Sequence, residues 1–130
     1  MQIEVSNGEI IDKITILEIK LKMIKTPAKL LNIKREYDQL VTLMNDIGIN
    51  LSHKLYKELY EINKELWDIE DRLRIKELSQ EFDEDFIKLA RLVYYTNDKR
   101  FIIKKKINEI TRSLLVEEKE YVEYKKNTEF

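Results

Sequence analysis

The sequence predicts an all-α protein, an elongated antiparallel bundle of about four helices with coiled-coil-like packing and a long last helix. Apolar side chains recur at steps of three and four residues, the period of helices that turn one face to a partner. The 130 residues include only two Gly and one Pro, too few breakers for a protein of strands and turns. Because 43% of residues are hydrophobic and 38% charged, amphipathic helices are expected rather than disorder. The length predicts one helical domain, residues 1–130.

The first helix is predicted to begin at Ser6, because Ser6 and Glu9 have the spacing of a capping box. Its apolar stripe is Ile10, Ile14, Leu17, Leu21 and Ile24. Thr26 is expected to cap the second helix, with Pro27 in the first turn, where a missing N–H costs nothing.

The second helix is predicted to continue to Gly48, where the chain turns before a third helix capped by Ser52. The second stripe is Leu30, Ile33, Tyr37, Leu40, Met44 and Ile47, and the third is Leu55, Leu59, Ile62, Leu66, Ile69 and Leu73. Tyr56, Tyr60 and Trp67 form an aromatic stripe beside the third one. They are expected to widen the core face, although an exposed aromatic stripe would also suit a dimer surface.

The last helix is predicted to run without a break from about Phe82 to Val116, after a corner at residues 79–85. The alternative is a break at Thr96–Asp98, where a new helix could be capped. Continuity is favoured because the apolar repeat keeps the same phase on both sides of this point.

Thr96 and Arg100 interrupt the apolar stripe of the last helix at positions that should be buried. A buried guanidinium needs an acidic or phosphate partner. Glu70 on the third helix is the expected partner, with Glu18 as the second choice. The pair would then fix the register of the helices. Alternatively, this polar layer would bind an anionic ligand through Glu70, Asn97, Arg100 and Lys104.

Several chemistries are not favoured by the sequence. The chain has no cysteine, and its one histidine, His53, excludes a di-iron bundle and is expected to face solvent. Acid pairs such as Glu58 and Glu61 have a spacing suited to Mg²⁺, but they lie on one helix, whereas a metal cage needs acids from two. No metal or cofactor is therefore predicted.

The charge pattern and the chain start bear on partners and location. Residues 99–106 are locally basic, but a net charge of −1 and nearby acids make a solvated helix face the better interpretation, and nucleic-acid binding is not expected. The first residues lack the pattern of a signal peptide, and no apolar run approaches the ~20 residues of a membrane span. A cytoplasmic protein with no membrane contact is expected.

Several blocks of the sequence resemble a family of small, all-helical bacterial proteins that form a domain of unknown function. The blocks are residues 5–13, 15–20, 66–71, 89–91, 93–94 and 97–98, together with Lys104, Ile107, Asn108 and residues 117–119. The resemblance covers nearly the whole chain. It implies genes near those for glycosyltransferases or surface polysaccharides, and no assigned activity. The chain has Arg112 where the resemblance implies Gly before Ser113, and this difference disfavours a helix end at this point.

Two functional hypotheses follow from these observations. The first is an interaction or scaffold protein that self-associates or binds another protein. The second is a binding protein or enzyme for a phosphate-bearing ligand, a nucleotide or nucleotide sugar, held in the polar layer around Arg100.

Overall fold

The computed structural model describes residues 1–124, which form four long helices and one short helix and contain no strand. The helices are α1 (Asn7–Met23), α2 (Pro27–Val41), α3 (Met44–Ile47), α4 (Lys54–Leu78) and α5 (Glu84–Ile110). The all-α prediction is confirmed. Within the same residues, no helix is both long and apolar enough to cross a membrane.

Helix α1 is the central helix, because it contacts α2, α4 and α5, while α4 and α5 also pack against each other. Its buried residues therefore cover most of its circumference and include Ile11, Thr15 and Ile19 beside the predicted Ile14 and Leu17. The single predicted stripe was too narrow, since it assumed that α1 turns only one face to its neighbours.

The core is formed where α1 meets the open end of the α4–α5 hairpin. One hydrophobic cluster contains Ile11, Ile14, Met44, Ile49, Tyr56, Leu59, Ile103 and Ile107. Tyr56 thus belongs to the core, as expected for the aromatic stripe, whereas Tyr60 and Trp67 are half-buried.

The helix caps agree only partly with the sequence. The hydroxyl of Ser6 accepts a hydrogen bond from the Glu9 N–H at 3.2 Å, which confirms the predicted start of α1. Thr26 precedes Pro27 as predicted, but its side chain makes no capping hydrogen bond. Helix α4 is capped by His53, whose Nδ1 accepts from the Leu55 N–H at 3.0 Å. The predicted Ser52 cap was therefore wrong, and His53 is half-buried where it was expected to face solvent.

The predicted second helix is divided in two. Helix α2 ends at Val41, and the short α3 follows after a turn at residues 42–43. Gly48 then ends α3 in the left-handed conformation with φ of 89°, as its position in the sequence indicates.

Helix α5 is continuous through residues 96–98, as predicted, but it ends at Ile110 and not near Val116. The N–H of Ser113 donates to the carbonyl of Asn108 at 2.9 Å, the closing hydrogen bond of a Schellman motif. Arg112 within this motif has φ of 53°, the left-handed conformation that glycine adopts most easily. The helix end is thus present although arginine stands where the resemblance implies glycine.

The α4–α5 hairpin is longer than the helix that packs on it. Helices α4 and α5 have 25 and 27 residues, against 17 in α1. At 1.5 Å per residue these lengths are about 37, 40 and 25 Å. The end of the hairpin therefore projects past the end of α1.

Candidate functional site

A buried ion pair joins α1 to α5. The guanidinium of Arg100 donates from Nε to Oδ1 of Asp12 at 2.9 Å and from Nη2 to the second carboxylate oxygen. The residue Asp12 is only 1% exposed, and the hydrogen bond from Arg100 raises the pKa of the guanidinium. This two-point geometry fixes the position of α1 along α5.

A polar layer surrounds this ion pair and includes α4. The amide of Asn63 donates to Oδ1 of Asp12 at 2.9 Å and to the hydroxyl of Thr15 at 2.8 Å. That hydroxyl in turn donates to the carbonyl of Asp12 at 2.6 Å. The carboxylate of Asp12 thus has hydrogen-bond partners on both α4 and α5, which compensates much of the cost of its burial.

Lys104 lies one turn after Arg100 and is also buried. Its ammonium nitrogen is 2.9 Å from a carboxylate oxygen of Glu9 and 3.1 Å from one of Glu117. Burial lowers the pKa of Lys104, but the nearby carboxylates outweigh this effect and leave the pKa raised. The two cations predicted to receive a ligand are therefore both neutralised within the chain.

The start of α1 lies against the end of α5 at very short range. The N–H of Gly8 donates to Oδ1 of Asn108 at 2.7 Å. A Cβ atom at Gly8 would lie 2.5 Å from the carbonyl oxygen of Lys104, so only glycine permits this approach. The N–H of Asn7 also donates to the Ser113 hydroxyl at 2.9 Å.

The predicted partners of Arg100 were wrong. Glu70 lies on α4 with a carboxylate oxygen 3.8 Å from Arg74, and Glu18 accepts a hydrogen bond from the Tyr56 hydroxyl at 3.1 Å. Asp12 takes their place because the central helix α1 presents it directly to the inner face of α5. Asn97 is half-buried on α5, one turn before Arg100.

Two of the four predicted ligand-binding residues line the same pocket. It has a volume of about 220 Å³ and is lined by Ile16, Ile19, Asn63, Leu66, Trp67, Glu70 and Arg100. Asn97 and Lys104 are not among its lining residues. The indole nitrogen of Trp67 is buried without a hydrogen-bond partner within residues 1–124.

Sequence reasoning missed Asp12, Asn63 and Asn108, which complete the polar contacts. A signal for Asp12 was present, because Gly8, Asp12, Thr15 and Ile19 form a second stripe with steps of four, three and four. Among the residues that the structure describes, no group of three or more His, Cys, Asp or Glu side chains could hold a metal ion. The arrangement is a set of internal polar contacts with one small pocket beside it, next to the unpaired indole nitrogen of Trp67.

Comparison with known proteins gives a family for the chain. A family model described as a family of unknown function, DUF6165, matches residues 1–127. Because the match extends over nearly the whole length, the chain belongs to this family. No curated protein and no solved structure matches the chain.

Proposed function

We propose that this member of the DUF6165 family is an interaction protein that self-associates. The supporting observation is the projecting end of the α4–α5 hairpin, which carries four large apolar side chains that are more than half exposed. They are Ile75, Leu78, Phe82 and Ile87. Exposed apolar side chains grouped at one end of a molecule favour association with another surface. The bacterial source and cytoplasmic location expected from the sequence belong to the same proposal.

The experiment is a measurement of molar mass by light scattering and sedimentation over a wide range of protein concentrations. Self-association predicts a mass above that of the 15.8 kDa chain, rising with concentration towards an integral multiple. A mass of one chain at every concentration would contradict the proposal.

A phosphate-bearing ligand at the polar layer is the second candidate function. Arg100 and Glu70, both predicted to bind the ligand, line one pocket beside Trp67. The ion pair of Arg100 with Asp12 weighs against this candidate, because a ligand phosphate would have to compete with a buried carboxylate. We therefore place it second.

Thermal unfolding with nucleotides, nucleotide sugars and phosphosugars tests the second candidate. A ligand at about 100 times its dissociation constant stabilises the folded state by roughly 2.7 kcal/mol, which raises the midpoint by several degrees. Arg100→Lys keeps the charge beside Asp12 but loses the two-point geometry. A midpoint shift in the wild type that disappears in Arg100→Lys would favour the ligand site, and no shift with any compound would count against it.

A further inference from the structure

A groove between α4 and α5 continues past the end of α1. It has a volume of about 390 Å³ and is lined by Glu70, Leu73, Arg74, Glu77, Phe86, Ala90 and Val93. Glu70 also lines the pocket beside Arg100, and Val93 precedes Arg100 by two helical turns on the same face of α5. The groove therefore lies on the face of the hairpin that α1 covers further along.

The lining of this groove is mainly apolar, although no helix of the described chain covers it. The apolar surface is supplied by Leu73, Phe86, Ala90 and Val93. The ring of Phe82 packs edge-on against that of Phe86, with 5.2 Å between the ring centroids. Near Arg100 the equivalent surface is covered by Ile16 and Ile19 of α1. The groove thus has the shape and chemistry of a site for another helix or hairpin.

The charged rim of the groove suits a second copy of the same chain. Along α4 the rim carries Glu70, Arg74 and Glu77, which are negative, positive and negative at steps of four and three. In a two-fold symmetric interface, each contact between residue i of one copy and residue j of the other occurs a second time, between residue j of the first copy and residue i of the second. An antiparallel pairing that brings Arg74 to Glu77 of the partner subunit therefore makes this favourable contact twice.

A stable interface uses about 20–30 residues from each partner, so the contact must extend from the seven residues that line the groove to the exposed side chains beside them, such as Phe82. We propose that two copies pack their α4–α5 hairpins against each other, antiparallel, with the groove at residues 70–93 as the interface. This inference rests on the proposed self-association and assigns its surface.

A charge reversal tests this surface, because the side chain of Arg74 is 73% exposed and its replacement leaves the core intact. In sedimentation experiments we expect Arg74→Glu to raise the dimer dissociation constant at least about tenfold, since two favourable pairs become repulsive. The double variant Arg74→Glu with Glu77→Arg restores opposite charges and should recover much of the affinity. Arg35→Glu is the matched control, because Arg35 is exposed on α2, outside the hairpin.

The outcomes separate this inference from the proposed function. A dimeric wild type with the expected order of variants supports both. If the wild type is dimeric but Arg74→Glu dissociates no more readily than Arg35→Glu, the assigned surface is wrong and self-association stands. If the wild type is a monomer throughout, both the assigned surface and the proposed function fail.

Discussion

Asp12 is buried and Arg100 is half-buried, so Arg100 cannot be removed alone without leaving the carboxylate of Asp12 buried beside no cation. We expect Arg100→Leu to lower the free energy of unfolding by about 3–5 kcal/mol, because it removes the ion-pair partner of a side chain that is 1% exposed. Urea unfolding measures this loss. The matched control is Arg72→Leu, on the exposed side of α4.

The double variant Asp12→Leu with Arg100→Leu extends this test. Replacing both ions by apolar side chains should recover much of the stability lost in Arg100→Leu. A loss in Arg100→Leu no larger than in Arg72→Leu would contradict a structural role and would favour the ligand-binding role of Arg100.

Replacement of Gly8 by alanine is expected to lower the free energy of unfolding, the opposite of the usual effect of this substitution in a helix. Alanine in a helix is normally more stable than glycine by up to about 1 kcal/mol. Here the added Cβ would lie 2.5 Å from the backbone oxygen of Lys104, so α1 and α5 must move apart. We expect Gly8→Ala to cost about 1–3 kcal/mol in chemical unfolding. Lys29→Ala, in the exposed first turn of α2, is the control, and an unchanged or higher stability of Gly8→Ala would refute the close contact.

Because the pKa of Lys104 is raised, the stability of the protein is expected to depend on pH in alkaline solution. The folded pKa of Lys104 is raised, so its contribution is complete below the unfolded pKa of about 10.4 and is lost as the pH rises through the folded pKa. The stability difference between the wild type and Lys104→Met should therefore be largest near neutral pH and shrink above about pH 10. Thermal unfolding from pH 7 to 12 measures it, with exposed Lys105→Met as the control. A difference that does not vary with pH would contradict the assigned ion pairs.

The identity of the buried residues was only partly predictable. The sequence indicated that Arg100 is at a buried position, because it interrupts an apolar repeat. It could not identify Asp12 as the partner, because Asp12 and Arg100 are 88 residues apart in the sequence and their helices must first be placed in register. Gly8, Asp12, Lys104 and Asn108 all lie within the blocks that carry the family resemblance, but a block does not say which residues touch.

Among the elements, the end of α5 carries conformational strain at Arg112, which has φ of 53°. Glycine would adopt this conformation without the penalty of about 1–2 kcal/mol that a side chain brings. We expect Arg112→Gly to raise the free energy of unfolding by about 1 kcal/mol. Arg72→Gly, in the middle of α4, should lower it by about 1 kcal/mol. If urea unfolding showed that both substitutions raise, or both lower, the free energy of unfolding, the left-handed conformation of Arg112 would be contradicted.

The existence of the long helices followed from their periodicity, whereas their ends depended on side-chain contacts that periodicity does not report. Ser52 does not cap α4 because its hydroxyl donates to the side chain of Asn50 at 2.8 Å. The imidazole of the next residue, His53, takes the capping position. The hydroxyl of Thr42, which follows α2, donates to the carbonyl of Gln39 at 2.7 Å. The apolar stripe of the predicted second helix continues through this turn and therefore did not indicate it.

For the whole molecule, the fold implies a gradient of stability from the central helix to the end of the hairpin. Helix α1 packs against three helices, whereas the groove near the end of the hairpin is lined by residues of α4 and α5 alone. Under monomeric conditions we expect hydrogen exchange to be slowest in α1 and fastest, among helical residues, near residues 73–78 and 84–90. Mass spectrometry of exchanged peptides measures this order. Equal protection of α1 and the hairpin end would contradict it.

The contacts between the start of α1 and the end of α5 also have a consequence for the order of folding. The hydrogen bonds of Asn7 with Ser113, Gly8 with Asn108 and Asp12 with Arg100 close loops of 106, 100 and 88 residues. The α4–α5 hairpin forms from neighbouring segments and closes a far shorter loop, at a lower entropic cost. The hairpin should therefore assemble first, and α1 should dock onto it late. In this order the buried carboxylate of Asp12 discriminates between docking registers, because only one register brings it to Arg100.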